Sequence, residues 1–340
     1  MSPAAAILGC SGPALTREET AFFRRVKPWG FILFARNVES PDQVRRLVDA
    51  LRETVGRDDA PILIDQEGGR VQRLGPPHWG RYPPGRAYGE LAGNDPLLRR
   101  EITRLGARLL AHDLATLGIN VDCVPVLDAP DPAGHEIIGD RAYGQTADDV
   151  ALLGRAAAEG LLAGGVLPII KHIPGHGRAR ADSHLELPVV DASWAELDAR
   201  DFAPFRVCSD MPMAMTAHVI YSAVDRKRPA TTSKKVMRKV IREAIGFGGL
   251  VMSDDLSMKA LTGSFTERAE ASLAAGCDVV LHCNGDMAEM KSVLAGTGAL
   301  KGRAARRADA ALARIPKAPE PFDAVAGRAR FDAAFDGRFA

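Results

Sequence analysis

Val166-Leu167-Pro168-Ile169-Ile170-Lys171-His172-Ile173-Pro174-Gly175-His176-Gly177 passes from an apolar run to titratable side chains without a break, and Asp182-Ser183-His184 follow closely. The run from Val166 to Ile170 reads as a short buried strand. Where that strand should stop, a lysine, three histidines and an aspartate arrive within fourteen residues. Gly175 and Gly177 keep the backbone pliable beneath them. Titratable groups on a supple loop at a strand exit point to catalysis rather than to packing.

The same pattern of apolar run and polar exit recurs eight times: Ala5–Gly9, Gly30–Ala35, Pro61–Asp65, Val121–Leu127, Leu167–Lys171, Ala214–Val219, Leu250–Ser253 and Asp278–His282. Most runs are continuous rather than alternating, as parallel strands covered on both faces require. Between them, segments such as Ser40–Thr54, Thr146–Ala163, Trp194–Cys208, Thr232–Ile245 and Thr266–Ala275 carry apolar residues at helical spacing. Ser40-Pro41 marks the start of the second helix and Thr266-Glu267 that of the seventh. Strand and helix alternating in this way predict an α/β chain folded as a single (β/α)8 TIM-type barrel with long βα loops. A doubly wound open sheet is the rival, but no Gly-x-Gly-x-x-Gly turn follows the first strand. The barrel is expected over residues 1–315, ending in a helix at Gly302–Ile315. Residues 316–340 form a tail of weak periodicity, expected either to wrap the barrel or to fray. Two long loops, Gly75–Arg86 and Ala129–Gly144, carry Trp79 with Tyr82 and Asp140 with Arg141 respectively.

Apolar residues make up 46% of the 340 and charged residues 26%, the composition of an ordinary globular protein. The net charge of +1 gives no bulk attraction to nucleic acid or to a membrane surface. The five cysteines are scattered and show no C-x-x-C spacing, so buried free thiols in a reducing compartment are expected. Ile7-Leu8-Gly9-Cys10 faintly resembles a lipoprotein cleavage site, but no basic segment precedes it and the apolar stretch is short for a signal peptide. No run approaches the roughly 18 apolar residues a membrane span needs. A cytoplasmic monomer with neither nucleic-acid nor membrane partners is the expectation.

In a barrel the active site lies at the C-terminal ends of the strands. The polar residues there are Asp65, Glu67, Arg70 and Arg73 after strand three, Asp128 after strand four and Lys171 with His172 after strand five. His218 follows strand six, Asp254 and Asp255 close strand seven, and Asn284 follows strand eight. Several have plain structural readings. Asp128 suits a loop cap as well as a substrate contact, and His218 a hydrogen-bonded core position. Glu67 and Arg70 are expected to pair with each other, and Trp79 and Tyr82 to pack their own loop. Neighbours in an extended strand point to opposite faces, so only one of Asp254 and Asp255 should face the pocket, the other capping the next segment.

Three chemistries can draw on this set. A metal hydrolase would use His172, His176, Asp182, His184 and the carboxylates at 254 and 255. His172 and His176 share a face only on a helix, however, and Pro174, Gly175 and Gly177 oppose one. Lys171 offers a Schiff-base amine. Glycoside hydrolysis needs a carboxylate below the anomeric carbon and a proton donor at the leaving oxygen. Asp254 suits the first role, and His184, oriented by Asp182, suits the second.

Three segments together resemble the bacterial β-N-acetylglucosaminidases of glycoside hydrolase family 3: Ile64-Asp65-Gln66-Glu67-Gly68-Gly69-Arg70-Val71-Gln72-Arg73, the Lys171–Gly177 stretch with Asp182-Ser183-His184, and Ser253-Asp254-Asp255-Leu256-Ser257-Met258. The likeness runs from the first strand to about residue 300 in the same order. Ile173 stands where many members carry phenylalanine, and the second domain of larger members is lacking. The resemblance implies a retaining hydrolase of terminal β-linked N-acetylglucosamine acting on muropeptides in peptidoglycan recycling. Asp254 would be the nucleophile, His184 the acid–base and Asp182 its orienting partner. It further implies sugar binding by Asp65, Arg73, Arg141, Lys171 and His172, and no metal or organic cofactor. A metal-dependent barrel hydrolase and an inactive sugar-binding relative are the alternatives.

Overall fold

A computed structural model describes residues 2–91, 95–132 and 134–339. Eight strands close into a parallel barrel: β1 (Ala4–Gly9), β2 (Pro28–Leu33), β3 (Ile62–Ile64), β4 (Val121–Asp122), β5 (Leu167–Ile173), β6 (Met213–Thr216), β7 (Leu250–Asp255) and β8 (Val279–His282). Each pairs with its sequence neighbours, and β8 returns to β1 through Ala6↔Val280 and Leu8↔His282. Helices cover the outside. Pro41–Val55 begins at the Ser40 cap with proline in its first turn, as the sequence reading requires.

The two-residue period of a strand sorts these side chains into two cores. Ile7, Leu63, Leu167, Ile169, Met213, Met215, Leu250, Met252, Val279 and Leu281 fill the barrel interior. Their neighbours Ala6, Leu8, Ile62, Ile64, Ile170, Ala214, Val251 and Val280 face outward into the packing with the helices. This is why the runs are apolar at every position: both faces of each strand are buried.

Some boundaries differ from the sequence reading. The fourth ladder is only Val121–Asp122, because Pro125 has no N–H to donate. The chain still tracks β5 beyond that point, with Leu127 N–H donating to the Lys171 carbonyl and Lys171 N–H to the Pro125 carbonyl. The seventh covering helix, Phe265–Ala275, starts slightly earlier: Ser264, two residues before Thr266, is its cap, closing a reciprocal box with Glu267. Trp194–Cys208 and Thr232–Ile245 are helical but include wide π-type turns at Leu197–Asp201 and Val236–Ala244. The expected final helix is observed at Gly302–Leu312.

The tail does not fray. It forms a further helix, Ala324–Ala334, capped by Asp323 and packed on the helix Pro96–Ala115. Phe331 and Phe335 are fully buried, and their rings meet Tyr82 and Tyr88. Tyr82 in turn donates its hydroxyl to Asp113 at 2.7 Å, so the 75–86 loop is clamped between the barrel and the tail. Truncating Phe331 to alanine removes the centre of this aromatic cluster. The variant should lose about 3–5 kcal/mol of stability in urea unfolding.

Candidate active site

Inward parity carries on past the last apolar layer. After Leu63 comes Asp65, after Ile169 comes Lys171, and after Met252 comes Asp254. Three separate strands thus each deliver a charged side chain to the same mouth of the barrel, where they line one cavity of about 500 Å³. The Lys171 ammonium lies 2.8 Å from Asp65 Oδ1 and 2.7 Å from Glu67 Oε1, with only 2% of its side chain exposed. Arg141 grips the other side of Glu67 with two hydrogen bonds, of 2.8 and 2.7 Å. Arg73 reaches Asp65 at 3.5 Å and stacks over the Phe34 ring.

Burial by itself would raise the carboxyl pKa values and lower that of the ammonium; mutual pairing reverses each effect. Burial pushes Asp65 up, but Lys171 and Arg73 hold it below the ordinary carboxylate value. Burial likewise opposes Glu67, yet Arg141 and Lys171 carry its carboxyl far below. Burial disfavours the Lys171 cation, and Asp65 with Glu67 raises it well above the ordinary amine value. The whole cluster is therefore ionised at neutral pH.

Glu67 is held by a small hairpin, Gln66–Gly68 against Val71–Gln72. The Gln66 side-chain oxygen accepts from the backbone N–H groups of Arg73 and Leu74, which fixes where Arg73 leaves the hairpin. At Gly68 φ is +96°, and a β-carbon there would lie 2.3 Å from the Pro83 carbonyl oxygen. Glycine is required for the hairpin to dock on the 75–86 loop.

The histidines are organised by Asp128. Its Oδ1 accepts the backbone N–H groups of His172 (3.1 Å) and His176 (2.7 Å), and its Oδ2 accepts His172 Nδ1–H at 2.7 Å. Asp128 is fully buried, and burial raises its carboxyl pKa, but His172 and the His176 contacts hold it below the ordinary value. It is a positioning group beneath the His172 ring, which lines the cavity. Close approach of the two loops is possible because residue 177 is glycine: a β-carbon there would fall 1.9 Å from the Ala129 carbonyl oxygen.

Asp254 sits at the cavity floor. Burial raises its carboxyl pKa, but His172 and His218 beside it, and the Asp255 N–H donating to Oδ1 at 2.8 Å, hold it below the ordinary value. His184 contributes in the same direction. Asp255 also borders the cavity, contrary to the expectation that only one of the pair would face it, but its carboxylate is engaged by the N–H groups of Ser257 and Cys283. Asp255 is thus the cap of the following segment, and Asp254 is the carboxylate left to the cavity. His184 stands over the cavity on the 178–188 loop, with 57% of its side chain exposed. Its Nδ1–H and backbone N–H both donate to Asp182 Oδ1 at 2.8 Å, leaving Nε2 free. For Asp182, slight burial acts upward, and the two bonds from His184 hold the carboxyl below its ordinary value.

Seven of the eight residues singled out as catalytic or sugar-binding line this cavity: Asp65, Arg73, Arg141, Lys171, His172, His184 and Asp254. Asp182 touches it through His184. The expected Glu67–Arg70 pair is not formed. Glu67 pairs with Arg141 and Lys171, while Arg70, which also borders the cavity, goes to Asp140 and the carbonyls of Glu136 and Ile137. His218 is the buried core histidine, Nε2 donating to the Asp255 carbonyl and Nδ1 paired with Thr231. An apolar bank of Ile32, Phe34, Met215, Met258 and Leu281 completes the cavity. Of these, only Met258 lay in a segment quoted for the family resemblance; the others had no sequence signal beyond their place in or beside a strand. Among the described residues, no group of three or more His, Cys, Asp or Glu is arranged to hold a metal ion.

Replacing Glu67 by glutamine leaves Lys171 and Arg141 short of one anion, and should cost roughly 3–5 kcal/mol of stability. Because the folded Glu67 carboxyl titrates below its unfolded value of about 4.3, its contribution is complete above that pH and fades as pH falls through the folded value. Urea unfolding of wild type and Glu67→Gln should therefore show a gap that is full at neutral pH and narrows on acidification below about 4.3.

With this geometry in view, the chain can be set beside known proteins. Residues 14–318 match the family model described as the glycosyl hydrolase family 3 N terminal domain. The chain is 39% identical over 282 residues to a beta-hexosaminidase of Methylobacillus flagellatus, covering 82% of this chain and 80% of that one. It is 37% identical over 293 residues to a beta-hexosaminidase of Bordetella pertussis, covering 85% and 82%. Native NagZ from Neisseria gonorrhoeae superposes with a TM-score of 0.84 at 31% identity, over 99% of this chain and 97% of that one. The same Neisseria protein has been solved in complex with N-trifluoroacetyl-D-glucosamine. The chain belongs to glycoside hydrolase family 3, and it is an enzyme of the β-hexosaminidase type.

Proposed function

We propose that the chain is a retaining exo-β-N-acetylglucosaminidase, with Asp254 as nucleophile, His184 as acid–base and Asp182 as its orienting partner. The observation that carries this reading is an anionic carboxylate at the floor of a charged cavity, faced by an imidazole whose Nε2 is free and whose Nδ1–H is held by a carboxylate. Asp254 attacks the anomeric carbon as His184 Nε2–H protonates the glycosidic oxygen, releasing the aglycone and leaving a glycosyl ester. His184, now neutral, takes a proton from water, and the hydroxide attacks the same carbon to free Asp254. Asp182 keeps the imidazole in the tautomer that presents Nε2 and stabilises the imidazolium that donates in the first step and re-forms in the second.

Lys171, His172, Arg73 and Arg141 donate to sugar oxygens and Asp65 accepts from hydroxyls, fixing the ring over Asp254. A single cavity at the mouth of the barrel suits an enzyme that removes one terminal residue. The Neisseria complex with an N-acylated glucosamine supports the sugar class. Muropeptides bearing terminal N-acetylglucosamine, met in the cytoplasm during peptidoglycan recycling, are the natural substrate in this reading. Among the described residues no helix is long and apolar enough to cross a membrane.

Asp254→Ala should abolish cleavage of an aryl β-N-acetylglucosaminide with no change in the melting transition. A 5-fluoro or 2-fluoro N-acetylglucosamine-type inactivator should leave its mass on the peptide containing Asp254; a label on another residue overturns the assignment. His184→Ala should lose roughly 10²- to 10⁴-fold in kcat/KM on a poor leaving group, and far less on dinitrophenolate. Incubation with a chelator should leave turnover unchanged, whereas full loss would favour a metal-dependent hydrolase.

A further inference from the structure

The Asp182–His184 dyad lies on a solvent-exposed loop, yet the residue between its two members is buried. Ser183 is 3% exposed while the His184 side chain is more than half exposed. Ser183 Oγ lies 3.0 Å from Nε2 of His176, a ring that is itself buried. The His176 backbone N–H is in turn fixed by Asp128, the carboxylate that also fixes His172 at the cavity wall. The rings of His172 and His176 meet edge to face, 5.8 Å apart. On its other side the loop rests on the segment that follows β7. Ala260 N–H donates to the Ser183 carbonyl at 3.3 Å and Lys259 N–H to that of His184 at 3.4 Å, both long bonds. The ends of the loop are tied elsewhere, His135 N–H donating to the Ala179 carbonyl at 2.7 Å and Ile220 N–H to that of Pro188 at 3.0 Å, but at the dyad itself the Ser183 hydroxyl makes the shortest contact to the rest of the described protein. The proposed hydrolytic chemistry gives neither Ser183 nor His176 a proton to move.

We propose that Ser183, held by His176, is the positioning residue that sets the His184 imidazole over the cavity. Through this bond the acid–base inherits its location from Asp128 and the exit of β5, the same frame that places His172. A donor displaced by about 1 Å loses up to ~10²-fold in proton transfer, so the dyad is sensitive to the one short contact that holds the residue between its members. The proposal rests on the reading of His184 as the acid–base.

The test compares Ser183→Ala, His176→Gln and His184→Ala on phenyl and 2,4-dinitrophenyl β-N-acetylglucosaminides, with melting curves to verify folding. Ser183→Ala should lose roughly 10- to 100-fold in kcat/KM on the phenyl glycoside and within about threefold on the dinitrophenyl one. The inhibition constant for N-acetylglucosamine should be unchanged. His176→Gln perturbs the same bond from its other end and should show the same leaving-group pattern, guarding against a folding defect peculiar to one variant. On the dinitrophenyl substrate, azide should raise kcat of Ser183→Ala and His184→Ala but not of wild type. The azide anion attacks C1 of the glycosyl-enzyme without a base, expels the Asp254 carboxylate and yields the glycosyl azide. An equal loss on both substrates, or no loss in Ser183→Ala where His184→Ala shows the pattern, overturns the proposal and leaves the acid–base reading standing. If His184→Ala lacks the pattern, that reading fails and the proposal with it.

Discussion

An ammonium group with almost no solvent contact lies at the centre of this structure. Lys171 is buried at the mouth of the barrel, and an isolated charge there would cost several kcal/mol. It is stable because Asp65 and Glu67 reach it from β3 and the hairpin beyond, and because Arg141 closes on Glu67 from the 129–144 loop. Two carboxylates and the cations Lys171, Arg73 and Arg141 thus join the exits of β3, β4 and β5 in one ionic frame. Each group holds the others in their charged form. The frame fixes the loops, and it lines a pocket with donors and acceptors that need no reorganisation to meet a sugar.

A second frame stands next to the first. Asp128 spends both carboxylate oxygens on the backbone and ring of His172, near the end of β5, and on the backbone of His176 just beyond it. It orders a segment whose glycines and proline forbid regular structure, and its reach ends at the Ser183 hydroxyl. Asp254 belongs to neither frame. It projects from a rigid strand at the third corner of the cavity, its negative charge favoured by imidazoles and one N–H rather than by a salt bridge. A carboxylate paired with lysine or arginine would be a weaker nucleophile; one held by softer partners remains available.

The division of labour follows from what each element can hold still. Strands carry the groups whose positions must not vary: Asp65, Lys171 and Asp254. Loops carry those that reach over the substrate, Arg141 and the Asp182–His184 pair. The C-terminal helix, remote from the chemistry, clamps the 75–86 loop, on which the Glu67 hairpin rests through Gly68 and through the Gly69 N–H bonded to the Tyr82 carbonyl.

The barrel could be read in the sequence because its cause is local. Continuous apolar runs and amphipathic segments alternate, and each declares its own burial. Asp65, Lys171 and Asp254 were legible for the same reason, since a polar residue that ends an apolar run must lie at a strand exit, whereas Arg141, in a loop, was assigned to the site only through the family resemblance. The choice between Asp254 and Asp255 needed the tertiary structure, because both border the cavity and the N–H groups of Ser257 and Cys283 engage Asp255 alone. What the sequence could not hold was partnership. Glu67 and Arg70 are three residues apart and of opposite charge, yet Glu67 pairs with Arg141 and Lys171, far along the chain. The low-dielectric mouth makes those contacts worth more than a solvated neighbour. The tail looked featureless because a helix of small residues shows its character only through two phenylalanines and the aromatic cluster awaiting them. Periodicity is a property of the chain alone, whereas pairing energies depend on which groups share a place without water, and folding decides that.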